Sequence, residues 1–298
     1  MIQPLKEAQL QHTSLEEAIQ RLAHAGSTHA PGDSVGLGIV VGGQVPAVLA
    51  ARIMALQLTS QPAPVHIYLP KPFHALMEMD VWAPAIRDAN DLIQSKSAKF
   101  WRSSQQLIVQ PLSDQGISTA VFLGSGVGAS SWADPTLAKA LCQGLDQAMI
   151  VQQVDPFLDS ALASNLSSPA LQAGPQSLAR ATHAYRSKAP NMLKALVFLS
   201  AEAWMGQNPQ VSTQLASWLD EQQSTAKRLK LQLDVCRMCF AVPDPLAQRQ
   251  LNAVAVSVQT CNWADLLGYM AYADLIATDQ KELILVAKSM GKVSCNLL

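Results

Sequence analysis

Charge is sparse in this 298-residue chain: 14% of its residues are Asp, Glu, Lys or Arg, and they nearly cancel to a formal net charge of -1. A surface of that kind has no broad attraction for phosphate backbones or anionic membranes, so nucleic acid and membrane are not expected as partners. Long apolar runs are missing too. The longest are broken by polar residues such as Arg52 and Gln57, short of a bilayer span, and Lys6 with Glu7 does not suit a signal peptide. The expectation is a cytoplasmic protein. Aromatic residues make up 5% of the chain, and its five cysteines are an odd number. Without an export signal, that usage suits reduced thiols with a redox, sulfur-transfer or metal role better than a disulfide framework.

What is present is apolar mass. Hydrophobic residues are 49% of the chain, enough for substantial cores in one large or two ordinary domains. The first 34 residues read as a helical lead-in, with Ser14 and Glu17 in capping-box spacing. Gly36 to Val41, Pro46 to Leu58 and Val65 to Leu69 then form a strand-helix-strand unit. A helix is expected from Ala85 to Phe100, strands at Leu107 to Val109 and Thr119 to Leu123, a helix at Pro135 to Gln147 and a strand at Ala148 to Val154. Residues 156 to 177, rich in Ser, Pro and Ala, read as a linker.

The alternation resumes in a second lobe, residues 178 to 298. Helices are expected at Ser177 to Lys188, Val211 to Gln223, Pro245 to Leu251 and Trp263 to Ala273. Strands are expected at Ala195 to Ser200, Leu229 to Val235, Val254 to Val258, Leu275 to Thr278 and Leu283 to Lys288. Strands alternating with helices imply an α/β fold of two lobes, with largely parallel sheets flanked by helices.

The strand at Leu229 to Val235 runs into Cys236-Arg237-Met238-Cys239. This reading puts two thiols at the carboxyl edge of a parallel sheet, where ligands and reacting groups collect. Arg237 and Arg249 would add positive charge, and Cys261, after the next strand, is a third thiol for the same edge. The bland alternatives stay open: Cys236 and Cys239 as buried structural thiols, Cys261 as a packed turn residue. Cys142 reads as core and Cys295 as an inert tail. Zinc on Cys236, Cys239, Cys261 and Cys295 ranks below sulfur chemistry, because the second half of the site is two scattered cysteines. No metal or cofactor is expected with the thiols.

The stretch from Ala195 to Thr278 resembles the DsrE/DsrF-like family of bacterial sulfur relay. The matching pieces are Ala195-Leu196-Val197-Phe198-Leu199-Ser200-Ala201-Glu202, the C-x-x-C strand end, Val256-Ser257-Val258-Gln259-Thr260 and the closing Ala273-Asp274-Leu275-Ile276-Ala277. Residues 35 to 155 look like a second, weaker copy, with no cysteine where it would carry its C-x-x-C. The resemblance implies a sulfur carrier or sulfurtransferase-like protein taking persulfide sulfur on Cys236 or Cys239, with sulfur donor and acceptor proteins as partners, and self-association is possible. A non-catalytic scaffold with the same fold is the alternative. The run Leu283-Ile284-Leu285-Val286-Ala287 is left over. It is expected either to replace a missing first strand, as in a circular permutation, or to add an edge strand.

A rival class rests on Gly124-Ser125-Gly126-Val127-Gly128-Ala129. This is a G-x-G-x-x-A pattern after a strand and before a helix, the setting of a dinucleotide pyrophosphate site using Gly124, Gly126 and Ala129. Ser130 and Ser131 could add hydroxyls. No acidic residue follows at the usual distance for a ribose, and a tight turn needs glycine in any case.

Overall fold

The computed structural model describes residues 10–28, 35–77, 85–96, 106–127, 130–132, 134–154, 171, 173–184, 191–254 and 257–297. The chain divides into two compact units, Met1–Ser168 and Pro169–Leu298. Each is an α/β unit around one parallel sheet.

In the first unit, strand β2 (Gly36–Val41) carries no charged side chain and is buried at every position, as a central parallel strand covered on both faces must be. Helix α2 (Val45–Gln57) follows, with Pro46 in its first turn and an almost continuous set of buried residues from Val45 to Ala55. Strands β3 (Val65–Leu69) and β4 (Ile86–Asp88) extend the sheet to one side. The chain then crosses back, so that β7 (Ile117–Leu123) and β10 (Gln147–Val151) lie on the other side of β2. Beyond β10 sits a sixth strand, β1 (Leu10–His12), in the register Leu10↔Ala148. The residues read as a lead-in therefore supply an edge strand. Helix α1 (Leu15–Thr28) follows it, and the Glu17 amide donates to Ser14 Oγ at 3.2 Å.

Tyr68, Val40, Phe122 and Ile150 are register neighbours across one face of this sheet. They join a core with Trp132, Leu137 and Leu141, in which Phe122 and Trp132 meet edge to face at 5.3 Å.

The second unit repeats the plan. Strand β11 (Met192–Phe198) is central; β12 (Gln232–Phe240) and β13 (Gln259–Cys261) lie to one side, β14 (Leu275–Thr278) and β15 (Val293–Asn296) to the other, all parallel. Five strands thus stand in the same chain order in both sheets. In each, the order reverses beside the first strand: between β2 and β7, and between β11 and β14.

The remaining helices are α3 (His74–Met77) and α4 (Pro135–Cys142) in the first unit. The second has α5 (Pro175–Ala184), α6 (Ala201–Trp204), α7 (Pro209–Arg228), α8 (Pro245–Val254), α9 (Trp263–Tyr272) and α10 (Lys281–Ser289). Helix α9 carries Gly268 at its crossing with α5. A Cβ there would lie 2.3 Å from the Ser177 carbonyl oxygen, so only glycine fits. No helix among the described residues is long and apolar enough to cross a membrane.

Four expected elements differ; one is the strand at Val254 to Val258, where Val254 closes helix α8, Ser257 and Val258 are not in a strand, and the strand that follows is β13. The helix from Ala85 is instead β4, a 3-10 turn at Ala89–Asp91 and strand β5 (Ile93–Lys96), which pairs antiparallel with β6 (Gln106–Val109). Asp88 accepts from the Asn90 amide at 3.0 Å, and this side-chain turn competes with a helix.

The run Leu283 to Ala287 is helix α10, with Leu283, Val286 and Ala287 buried. That spacing is helical, so it neither replaces a first strand nor adds an edge strand; the fifth strand is β15.

Strand β12 starts later than expected because Leu229 and Leu231 belong to the cap of α7. Lys230 is left-handed at φ 59, its amide donates to Lys227 O at 3.1 Å and the Leu231 amide to Ala226 O at 2.8 Å. This paired closure is the Schellman motif. Most of the linker at 156–177 lies outside the described residues.

Candidate functional site

Strand β12 runs on past Val235 to Phe240, so Cys236 and Cys239 lie within it and not beyond its end. Successive side chains of a strand alternate faces, so residues three apart point to opposite sides of the sheet. Cys236 shares a face with Met238 and Phe240, and Phe240 packs on Phe198 and Trp263 at 4.8 Å each. Cys239 shares the other face with Leu233 and Val235, which pack in the core with Val211 and Trp218 of α7. Cys261 pairs with Phe240 at the edge strand.

The three residues are 7%, 0% and 9% exposed in chain order. Burial, with the Asp234 charge second, pushes the Cys236 thiol up to about 11. Burial alone pushes Cys239 up to about 11. Cys261 is raised further by burial, then by Cys239 and Asp265. At neutral pH these buried thiols are protonated, and the nucleophilic thiolate is disfavoured by burial and by the nearby Asp234 and Asp265. Arg237 donates to Ser257 Oγ at 3.3 Å. Cys142 is core, raised by burial to about 12, and Cys295 is part of strand β15. The described residues hold no His, Cys, Asp or Glu cluster suited to a metal.

The glycine segment also departs from its expected setting. Gly124 takes φ +81, and β8 (Gly126–Val127) pairs antiparallel with β9 (Ser130–Ser131) in a small hairpin. Helix α4 starts only at Pro135, after Asp134, which itself accepts from the Thr136 and Leu137 amides. The pattern therefore opens no helix; Ala129 lies outside the described residues.

Gly124 and Gly126 stand at the reversal between β2 and β7, and there the two loops hold each other. The Gly42 amide donates to Leu123 O at 2.8 Å and the Gly43 amide to Gly126 O at 3.2 Å. Gln44 Nε2 donates to Ser125 Oγ at 3.3 Å. The Gly124 amide likewise donates to Val151 O at 3.0 Å.

Two strands further along the same carboxyl edge, the first unit opens into a cleft of about 420 Å³ lined by His12, Thr13, Ser14, Leu15, Glu16, Ile150, Gln152 and Gln153. It forms where β1 and β10 end side by side and α1 begins, with the Thr13 amide donating to Ile150 O at 3.1 Å. Thr13 Oγ1 donates to Glu17 at 2.6 Å, and Glu17 also receives Arg21. These contacts lower the Glu17 carboxyl, the Thr13 hydrogen bond being the larger cause. By contrast, the side chains of His12, Glu16, Gln152 and Gln153 are exposed. None of this group is marked by a motif in the sequence; only the pairing of β1 with β10 gathers them.

At the second unit's reversal the bridge is a side chain. Asp279, just past β14, accepts from the Ser200 amide at 2.9 Å and from the Ser200 hydroxyl at 2.5 Å.

No protein-family model and no curated protein matches the chain. Solved structures similar to it include one described as a UDP-N-acetylglucosamine 2-epimerase from Listeria monocytogenes, with a TM-score of 0.41, 10% identity, and 87% of this chain and 78% of that chain covered. Another UDP-N-acetylglucosamine 2-epimerase gives 0.37 and 12%, covering 87% and 77%. The E. coli heptosyltransferase WaaC, with ADP-2-deoxy-2-fluoro heptose, gives 0.39 and 10%, covering 87% of both chains.

The expected kinship with the DsrE/DsrF-like family is therefore corrected. No family model matches the chain, and the C-x-x-C thiols are buried within a strand instead of standing at its end. With it go the persulfide chemistry and the reason to expect sulfur donor and acceptor partners.

Proposed function

We propose that this chain is a small-molecule-binding protein whose ligand is uncharged and rich in hydroxyl groups, held in the cleft between the ends of β1 and β10. The observation that carries this reading is the cleft itself, at the carboxyl edge of a doubly wound parallel sheet, the edge at which such folds take their ligands. Its volume of about 420 Å³ is within the ordinary range for small-molecule sites.

The lining sets the class of ligand. It contains no Lys or Arg, and Glu16 repels anions. Gln152 and Gln153 each offer a donor and an acceptor, Glu16 accepts, and His12 can do either. Vicinal hydroxyls, which both donate and accept, complement that set.

Calorimetric titration of the full chain with neutral mono- and disaccharides and polyols, beside sugar phosphates and nucleotides, tests the reading. Neutral ligands are expected to bind more tightly than their phosphorylated forms. Gln152→Ala and His12→Ala should each weaken binding about tenfold, the effect of one lost hydrogen bond. Preference for the phosphorylated ligands, or indifference to both substitutions, would defeat it.

A further inference from the structure

At the β4 edge of the first unit's sheet, polar groups gather that the fold leaves without partners. His66 and Tyr68 are two apart in β3, so their side chains stand on one face. Arg87 of β4 is the register partner of Tyr68, and its guanidinium lies over the Tyr68 ring, 5.9 Å from the centroid. Tyr68 is 1% exposed, yet its hydroxyl has no hydrogen-bond partner, and neither has the buried Nδ1 of His66. Buried polar groups are nearly always hydrogen-bonded, so two orphans on one strand face call for an occupant.

Both groups feel Arg87. The Cδ2–Nε2 edge of the His66 ring faces Gly36 of β2, where a Cβ would come within 2.8 Å of Cδ2. Nδ1, on the other edge of the ring, therefore looks to the side of β4. Burial, with the Arg87 charge second, lowers the His66 ring, and Arg87 opposes the rise that burial gives the Tyr68 hydroxyl. Arg87 itself is short of a counter-charge. It is half-buried, donates from Nη1 to the neutral Gln115 at 3.0 Å, and among the described residues has no carboxylate partner. Asp88, next to it, is taken up by the backbone and side-chain amides of Asn90 at 3.0 and 2.9 Å.

We propose that Arg87, His66 and Tyr68 form a binding site for a small carboxylate. The guanidinium fork matches the two oxygens of such a group. The His66 Nδ1–H and the Tyr68 hydroxyl supply two more donors, and an ionised carboxylate has about four lone-pair sites to receive them. This site stands independently of the cleft at β1, since β1 and β4 are opposite edges of the six-stranded sheet.

Titration of the full chain with acetate at constant ionic strength, balanced by chloride and read at the histidine ring resonances, tests the proposal. Acetate should move the His66 signals saturably and raise the pH at which His66 titrates, because a bound anion offsets the Arg87 charge. The His12 signals should stay in place. Tyr68→Phe removes a hydroxyl that bonds to nothing in the protein, so it should fold with undiminished stability. It should bind acetate about tenfold more weakly, the loss of one hydrogen bond to a charged group. Arg87→Gln should abolish the saturable response, and Tyr68→Phe decides the matter should that variant not fold. A parent whose His66 responds to acetate no more than to chloride overturns the proposal. So does a Tyr68→Phe variant that binds acetate like the parent.

Discussion

The two units place the same five strands in the same order, yet they close the reversal with different chemistry. The first uses main chain on main chain, with the Gly42 and Gly43 amides on Leu123 O and Gly126 O. The second uses a carboxylate on Ser200. A peptide bridge survives any side-chain substitution that leaves the backbone in place, whereas a carboxylate bridge hangs on one residue. The thiols divide in the same uneven way: among the cysteines, the first unit buries Cys142, and the second buries Cys236, Cys239 and Cys261. What the shared topology fixes is the position of the crevice; its chemistry is decided by a few side chains.

The largest expected effect of that asymmetry is alkaline. A thiol raised in the folded state is protonated there while the unfolded chain ionises, so its contribution is complete below pH 9 and is lost as pH rises towards 11. Cys236 and Cys239 together should remove about 4 kcal/mol from the second unit by pH 11. Urea unfolding at pH 8 and pH 10.5, followed by hydrogen exchange in each unit, measures it. The double variant Cys236→Ala/Cys239→Ala should flatten the second unit's decline; an unchanged slope would show that these thiols are not buried as described.

Next comes the helix crossing confined to the second unit. Gly268→Ala sets a Cβ against the Ser177 carbonyl and should destabilise by about 3 kcal/mol, since overpacking against backbone has little room to relax. A midpoint within experimental error of the parent's would mean that α5 and α9 do not approach so closely.

The smallest effect sharpens the comparison at the reversals themselves. Asp279→Ala should lose about 2 kcal/mol, the scale of hydrogen bonds to a charged group. Gln44→Ala, which removes the side-chain part of the first unit's bridge, should change stability by less than about 0.5 kcal/mol. Equal losses would erase the distinction between a peptide bridge and a carboxylate bridge.

The parts of this fold readable from residues alone are those where burial leaves one solution. Gly36 to Val41, Val65 to Leu69 and Leu275 to Thr278 are short apolar runs between turn residues, and each is a strand of a parallel sheet. Leu283 to Ala287 looks the same over five residues, but its burial follows a helical spacing visible only in three dimensions. The alternation from Leu229 to Val235 misled because a helix cap happens to place Leu229 and Leu231 two apart, and a non-glycine residue, Lys230, takes the left-handed position that usually marks such a cap. The cleft had no local signature beyond the capping-box spacing of Ser14 and Glu17. Leu10 and Ala148 become neighbours only when the sixth strand joins the sheet, and no periodicity spans that separation.

The placement of Cys236 and Cys239 makes the pair a recorder of opening. Their α-carbons, three residues apart in an extended strand, are separated by about 10 Å, beyond the roughly 7 Å that a disulfide can bridge. While β12 stays in the sheet, no oxidant can join them. A Cys236–Cys239 bond can therefore form only in a molecule whose strand has come loose, and it then keeps that strand from returning. Counted by mass after graded exposure to a mild oxidant, such bonds would tally how often the centre of the second sheet comes apart.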